Sequence, residues 1–179
     1  MACPEFITKG RKVCSTTVGG VKNISFMEYK EGLLSVTGII NSTLLTGADI
    51  FKYEVAKNES VILEDTYTKD IKATGTGFSA GTLNADLQVL DKATADELKL
   101  LVQSNLFIFI ELHNGDTLLA GGESGADLIS IVTKSGGKKG DFSGFSVSFS
   151  WEERLSPIWL DSAAITAYKA AISDEFITV

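Results

Sequence analysis

Apolar and polar residues alternate along most of this chain with a period of two, the pattern of half-buried strands. It is clearest in GDFSGFSVSFSWEERLSPIWL at 140–160. There Phe145, Val147, Phe149 and Trp151 point one way from an extended backbone, and Ser146, Ser148, Ser150 and Glu152 point the other. The pattern also occurs at 78–90, where Leu83, Ala85, Leu87 and Val89 alternate with Thr82, Asn84, Asp86 and Gln88. Each stretch predicts a strand with one face for a core and one polar face without positive charge. Ile24 and Phe26 share a side of a strand at 23–29, and a second apolar run at 33–40 follows the turn at Glu31-Gly32, which predicts a hairpin. Further strands are expected at 49–56 and 60–74. In the second of these both faces carry Thr, Lys or Asp from Thr66 onward, so a protruding arm is expected over about 64–80.

The run LFIFIEL at 106–112 is continuously apolar, as in a strand covered on both faces, and Asn114-Gly115 predicts a tight hairpin into 116–120. Gly121-Gly122 ends that strand, the next spans 126–132, and 133–141 reads as a flexible loop carrying Lys134, Lys138 and Lys139. Helical spacing occurs twice. Leu98, Leu101 and Val102 fall on one face at 92–104, where Thr94 and Glu97 fit a capping box. Beyond Pro157, which is expected to end the sheet region, Ile165, Tyr168 and Ile172 form a stripe at 161–172. The expected fold is mainly β: a β-sandwich or partly closed barrel over 1–160 with one short flanking helix, then a C-terminal helix and tail at 161–179. No internal repeat is visible.

With 179 residues, 44% hydrophobic and 22% charged, the chain suits one globular domain with a sizeable core. A net charge of -7 argues against a protein that grips nucleic acid, because phosphate binding relies on Lys and Arg. The opening has no apolar h-region and the longest apolar run is too short to span a bilayer, so a soluble protein made in the cytoplasm is expected. Cys3 and Cys14 are too few for a disulfide framework; they read as reduced packing residues, a disulfide, or a metal site within an oligomer.

Candidate chemistry is sparse. His113 stands directly before a turn, where an exposed polar residue is expected. GGESGA at 121–126 has Ala126 where a nucleophile elbow needs glycine and lacks the strand-turn-helix context. GTGFSAG at 75–81 has the wrong spacing for a dinucleotide fingerprint, and SGGKKGD lacks the Lys-Ser/Thr ending of a P-loop. Lys134, Lys138 and Lys139 read as a solvated loop or as a contact to phosphate or an acidic neighbour. Tyr67, Phe78 and Phe142 could stack on a base or sugar, but packing is commoner for isolated aromatics. The expectation is a non-enzymatic protein without cofactor or metal, built to pack against other subunits.

The segment LVQSNLFIFIELHNGDTLLAGGESGADL, the Gly/Lys loop after it and then GDFSGFSVSFSWEERLSPIWL resemble the virion structural proteins of phages that infect Bacteroidetes, including crAss-like phages. In that family a strand-turn-strand closing on a Gly-Glu-Asn/Ser-Gly turn precedes a strand of the form Gly-Asp-x-x-Gly-aromatic-polar-apolar-polar-aromatic and an acidic turn. The two cysteines separated by ten residues, followed by VGGVKNISFMEY at 18–29, are similar as well. Together these parts cover somewhat under half of the chain.

The resemblance implies a tail-tube-like sandwich whose copies join their sheets into a closed ring, six- or twelve-fold, around a DNA channel. Its partners would be itself and adjacent neck or tail proteins, with DNA passing transiently and no membrane; its place would be the virion, after synthesis in the host bacterial cytoplasm. The departure is the C-terminal helix and tail at 161–179, on which a stacked tube or a single ring turns. A channel that passes DNA needs a lining on which a polyanion slides, and bases there would hold phosphates. Ser146, Ser148, Ser150, Glu152, Thr82, Asn84, Asp86 and Gln88 are therefore candidate channel-lining residues; without a channel they are ordinary solvent-exposed sheet. Thr66, Tyr67, Thr68, Lys69, Asp70 and Lys72 of the arm, with Lys134, Lys138 and Lys139, are candidate inter-subunit residues. The rival readings are a monomeric β-sandwich that binds glycans or acts as an adhesin, and an enzyme using His113 or an unrecognised carboxylate pair.

Overall fold

A computed structural model describes residues 19–33, 45, 48–55, 61–69, 77–88 and 90–172. Nine strands and two helices lie among them: β1 Val21–Glu28, β2 Phe51–Glu54, β3 Val61–Lys69, β4 Gly77–Gln88, α1 Lys92–Leu101, β5 Leu106–Leu112, β6 Thr117–Ala120, β7 Asp127–Lys134, β8 Gly144–Glu153, β9 Ile158–Trp159 and α2 Ser162–Ala171. The strands form two sheets, ordered β2-β1-β5-β6-β9 and β3-β4-β8-β7. Every neighbouring pair is antiparallel. The fold is mainly β and sandwich-like; among the described residues no ladder closes the two sheets into a barrel.

Alternation explains the layers. Between the sheets lie Ile24 and Phe26 of β1, Ile108 and Ile110 of β5, Leu83 and Leu87 of β4, and Phe145, Val147, Phe149 and Trp151 of β8. Phe26 stacks on Phe149 with ring centroids 4.9 Å apart. The opposite parity of the first sheet feeds a second core: Met27, Phe107, Phe109 and Leu119 pack against Leu160, Ala164 and Tyr168. Tyr168 of α2 stacks on Phe109 at 4.8 Å, and its hydroxyl shares a 2.8 Å hydrogen bond with Ser25 Oγ. β5 thus serves two cores with alternate residues, which is why its sequence is apolar throughout. Burying each such large side chain is worth about 1.5–3 kcal/mol, so α2 is fastened through the same strand that centres the sandwich.

Several local expectations are corrected. The 34–40 part of the expected hairpin lies outside the described residues, and the two edges of β1 are taken by β2 and β5. The N-cap of α1 is Asp91, whose Oδ1 accepts from Thr94 N at 3.0 Å; Thr94 is three residues inside, and Glu97 accepts from Tyr53 Oη instead of capping. The strand expected at 126–132 runs on to Lys134, so Lys134 belongs to β7 and not to the loop. Pro157 does not end the sheet region. The chain crosses there to the first sheet, where Ile158 and Trp159 pair with Leu119 and Leu118 of β6. Thr66 to Lys69 remain in register with β4, pairing with Ala80 to Gly77, with their side chains exposed.

Gly81 is buried on β4 directly opposite Trp151, and the indole occupies the space where a side chain at 81 would begin. A Cβ there would collide with the Cε2–Nε1 edge of the ring. Overpacking of this kind costs about 1–3 kcal/mol. Gly81→Ala is expected to lower the melting temperature by several degrees and perturb the near-UV signal of Trp151, which a thermal melt by circular dichroism checks; an unchanged melt would show that the indole can move aside.

Candidate functional site: an outward polar face and an open groove

Directly opposite residues of an antiparallel pair share a face, so the register of β4 and β8 decides where the polar residues lie. Thr82 is opposite Ser150, Asn84 opposite Ser148, Asp86 opposite Ser146, Ala80 opposite Glu152 and Gln88 opposite Gly144. All eight candidate lining residues therefore stand on one continuous face, turned away from the core. Cross-strand hydrogen bonds lace it: Ser148 Oγ donates to Asn84 Oδ1 at 2.6 Å, and Ser146 Oγ donates to Asp86. The flanking strands widen the face with Ile62, Glu64, Thr66 and Thr68 from β3 and Asp127, Ser130, Val132 and Lys134 from β7.

Lys134 is the one cation of this face among the described residues, and the sequence had assigned it to a loop. Its Nζ sits 3.8 Å from Asp86 Oδ1 and 5.8 Å from the centroid of Phe142. With Glu64, Asp86, Asp127 and Glu152 also present, the face is net acidic. Ile62, Phe78 and Val132, each about half exposed, mark its margins at 49%, 45% and 48%.

The candidate inter-subunit residues fall on opposite edges of the same sheet. Thr66, Tyr67, Thr68 and Lys69 lie on β3, an edge strand among the described residues, whereas Lys134 ends the other edge strand, β7. Lys138 and Lys139 are exposed in a turn closed by Asp141, whose Oδ2 accepts from Gly137 N at 3.0 Å and Lys138 N at 2.8 Å. Asp70, Lys72, Cys3 and Cys14 lie outside the described residues. His113 is exposed in the β5–β6 hairpin. Among the described residues no three His, Cys, Asp or Glu side chains are grouped to hold a metal ion, and no helix is long and apolar enough to cross a membrane.

Two features were not legible in the sequence. The first is a groove of about 540 Å³ bordered by β3 and by residues at the ends of β1, β5, β6 and β9. Val61, Leu63, Leu118 and Trp159 line it, and Asp65 is its acid, accepting a 2.6 Å hydrogen bond from Ser79 Oγ. The second is a reciprocal clasp between the 121–125 turn and the end of β8. Glu153 Oε1 accepts from Glu123 N at 2.6 Å, while Glu123 Oε2 accepts from Arg154 N at 2.8 Å and its Oε1 from the Arg154 guanidinium at 3.1 Å. Tyr29 Oη also donates to Glu123 O at 2.6 Å. The clasp fixes the turn by which the chain crosses from the first sheet to the second.

Burial pushes the Glu153 carboxyl above its ordinary value, and the charges of Glu123 and Asp65 add to this, against the pull of the Glu123 and Ser124 amides. Glu111, buried on the α2 side of the first sheet, behaves oppositely. Its burial also pushes upward, but hydrogen bonds from Asn23 at 2.7 Å and Lys22 at 3.2 Å, with the charges of Lys22 and Lys169, hold the carboxyl below its ordinary value. Burial raises the phenols as well: Tyr168 is pushed up to about 12, and Tyr53 higher still with help from Glu97 and Asp91.

The two acids give opposite linkage. Folding takes up a proton at Glu153, so its stabilisation is full below 4.5 and is lost as pH rises through the raised folded value. Folding releases one at Glu111, so its stabilisation is full above 4.5 and is lost as pH falls through the lowered folded value. Melting curves from pH 3 to 7 should therefore show Glu153→Gln gaining on the wild type as pH rises above 4.5, and Glu111→Gln losing ground as pH rises toward 4.5. Parallel curves for either variant would refute the assigned environment of that acid. In comparison with known proteins, the chain matches no family model, no curated protein and no solved structure.

Proposed function

We propose that this protein is a non-enzymatic virion component of a Bacteroidetes phage that assembles into a closed ring of the tail or neck and forms part of the DNA ejection conduit. The observation that carries the reading is the outward face of the second sheet, where eight polar residues foreseen from alternation meet in one hydroxyl- and carboxylate-rich surface. Such a surface repels phosphate weakly and offers it no row of bases, which suits a lining over which DNA moves.

The sheet's topology agrees with ring formation. Its four strands alternate in direction, so β7 of a second copy laid beside β3 continues the sheet antiparallel without inverting the neighbour. The two edges, unpaired among the described residues, are of similar length, nine residues in β3 and eight in β7. An edge-to-edge contact of unlike strands is heterologous, and repetition by rotation closes it into a ring. A second reading, a monomeric glycan-binding sandwich, draws on the exposed Trp159 beside Asp65 in the groove.

Light scattering over a concentration series, with negative-stain images, is expected to show rings or short tubes. A protein that stays monomeric throughout and binds on a glycan array would favour the second reading. In assembled material Asn84→Lys/Ser148→Lys should preserve the ring yet make it retain duplex DNA. The slope of log K against log salt should steepen by about 0.9 for each phosphate that the new lysines neutralise; an unchanged salt dependence would remove this face from the conduit.

A further inference from the structure

A smaller niche, of about 160 Å³, opens in the seam between β2 and α1, lined by Phe26, Phe51, Tyr53, Glu97, Leu100 and Leu101. Phe51 and Tyr53 stand two apart on β2 and therefore share one face of the strand. Glu97, Leu100 and Leu101 follow at i, i+3 and i+4 of α1 and therefore share one side of the helix. Tyr53 meets Phe26 edge-on with ring centroids 5.5 Å apart, and its hydroxyl donates to Glu97 Oε2 at 3.1 Å, which holds the carboxylate in place. Phe51 and Leu100 are 60% and 67% exposed, so one aromatic and one aliphatic wall of the niche meet solvent. Apolar side chains clustered in this way mark contact surfaces.

Size limits what can enter. Sites for cofactors and drug-sized molecules measure about 300–1,000 Å³, and this niche, well below that, has room for one side chain. Charge selects among side chains. Glu97 is the one charged group of the lining, and among the described residues no ion pair holds it. Asp91 stands near enough for its charge to act on the Tyr53 hydroxyl as that of Glu97 does, while Lys99 of the same helix is engaged by Asp96 at 2.9 Å. An apolar side chain seated here would strip water from the carboxylate and return no hydrogen bond, and an acid would be repelled. A lysine answers each demand: its methylene stem lies on the apolar walls, its ammonium meets the carboxylate, and an aromatic face adds a cation–π attraction. Its compact charge on an unbranched stem suits so small a niche better than the broad planar guanidinium of arginine. We propose that this niche recognises a lysine side chain presented by a partner protein, with Glu97 as its charge partner and Phe51 as its aromatic wall. This contact goes beyond the ring reading and does not depend on it.

The test is a saturation-transfer NMR titration of the full chain, which reads the small probe and works whether or not copies assemble. The probe is Nα-acetyl-lysine methylamide, and the control is the norleucine analogue, which keeps the stem and lacks the ammonium. The lysine probe should bind with a Kd on the order of millimolar, and the norleucine analogue at least about fivefold more weakly. Glu97→Gln leaves an acceptor for Tyr53 Oη and should cost the lysine probe a similar factor, with no effect on the norleucine analogue. Phe51→Ala removes a mostly exposed ring, so it should fold, which circular dichroism verifies, and it should weaken both probes. Norleucine bound as well as lysine, no binding of lysine at all, or lysine binding unchanged in both variants would overturn the proposal. An arginine analogue that binds more tightly would overturn the choice of lysine, and spermidine that displaces the probe at a lower concentration than the probe's own Kd would reassign the niche to free polyamines.

Discussion

Ten cross-strand pairs between β4 and β8, running without a shift from Ser79 opposite Glu153 to Gln88 opposite Gly144, decide both faces of the second sheet. A slip of β8 by one residue would turn Phe145, Val147, Phe149 and Trp151 to solvent and bring Ser146, Ser148, Ser150 and Glu152 inside. The inner face makes that slip costly, because Phe149 stacks on Phe26 of the other sheet and Trp151 needs the bare backbone of Gly81 beneath it. The outer face is then determined without any selection of its own geometry. Ser146 and Ser148 donate across the ladder to Asp86 and Asn84, so the face is polar and partly self-satisfied.

The remaining elements settle around this pair. β3 and β7 extend the sheet to two edges of unlike character, and the first sheet lies over it with α2 on its far side. Charge is buried at two places, the crossing at 121–125 and the α2 side of the first sheet. Glu153 and Glu123 secure the 121–125 turn by accepting backbone amides, and burial, with the nearby charge of Glu123 adding to it, raises the proton affinity of Glu153. On the α2 side the opposite solution is used: Glu111 is surrounded by Asn23, Lys22 and Lys169 and keeps its charge. One acid of this chain is thus easier to fold protonated and the other ionised.

Long alternating or continuously apolar runs could be read directly. β4, β5 and β8 were legible because each residue's face follows from its parity, and the stripe of α2 because Ile165, Tyr168 and Ile172 repeat at helical spacing. β9 was not, since two residues after a proline have no period and become a strand only by pairing with Leu118 and Leu119. The cap of α1 was misplaced because Thr94 and Glu97 satisfy the pattern of a capping box while Asp91, one turn earlier, satisfies the geometry. The polar residues of 82–88 and 146–152 were each foreseen, but their union depended on which strands pair, and composition does not encode that. The clasp joins residues 30 apart through turn conformations, and the groove is lined by residues of five different strands. Neither leaves a local signal.

The acidity of the outer face also constrains how copies can meet. In the proposed ring, Glu64, Asp86, Asp127 and Glu152 of every copy face one lumen, against the one partly neutralised Lys134. Like charges brought within about a Debye length, roughly 8 Å at physiological salt, repel one another, so the lining opposes closure. Attraction has to come from surfaces away from the lumen, and the backbone hydrogen bonds of a shared sheet edge largely exchange with water. What is left is apolar area. The exposed side chains of Phe51, Leu100 and Trp159 border the two pockets away from the polar face, and Ile62, Phe78 and Val132 border that face. An acidic, hydroxyl-rich wall bordered by apolar side chains is what the proposed ring would need in order to hold together without gripping DNA.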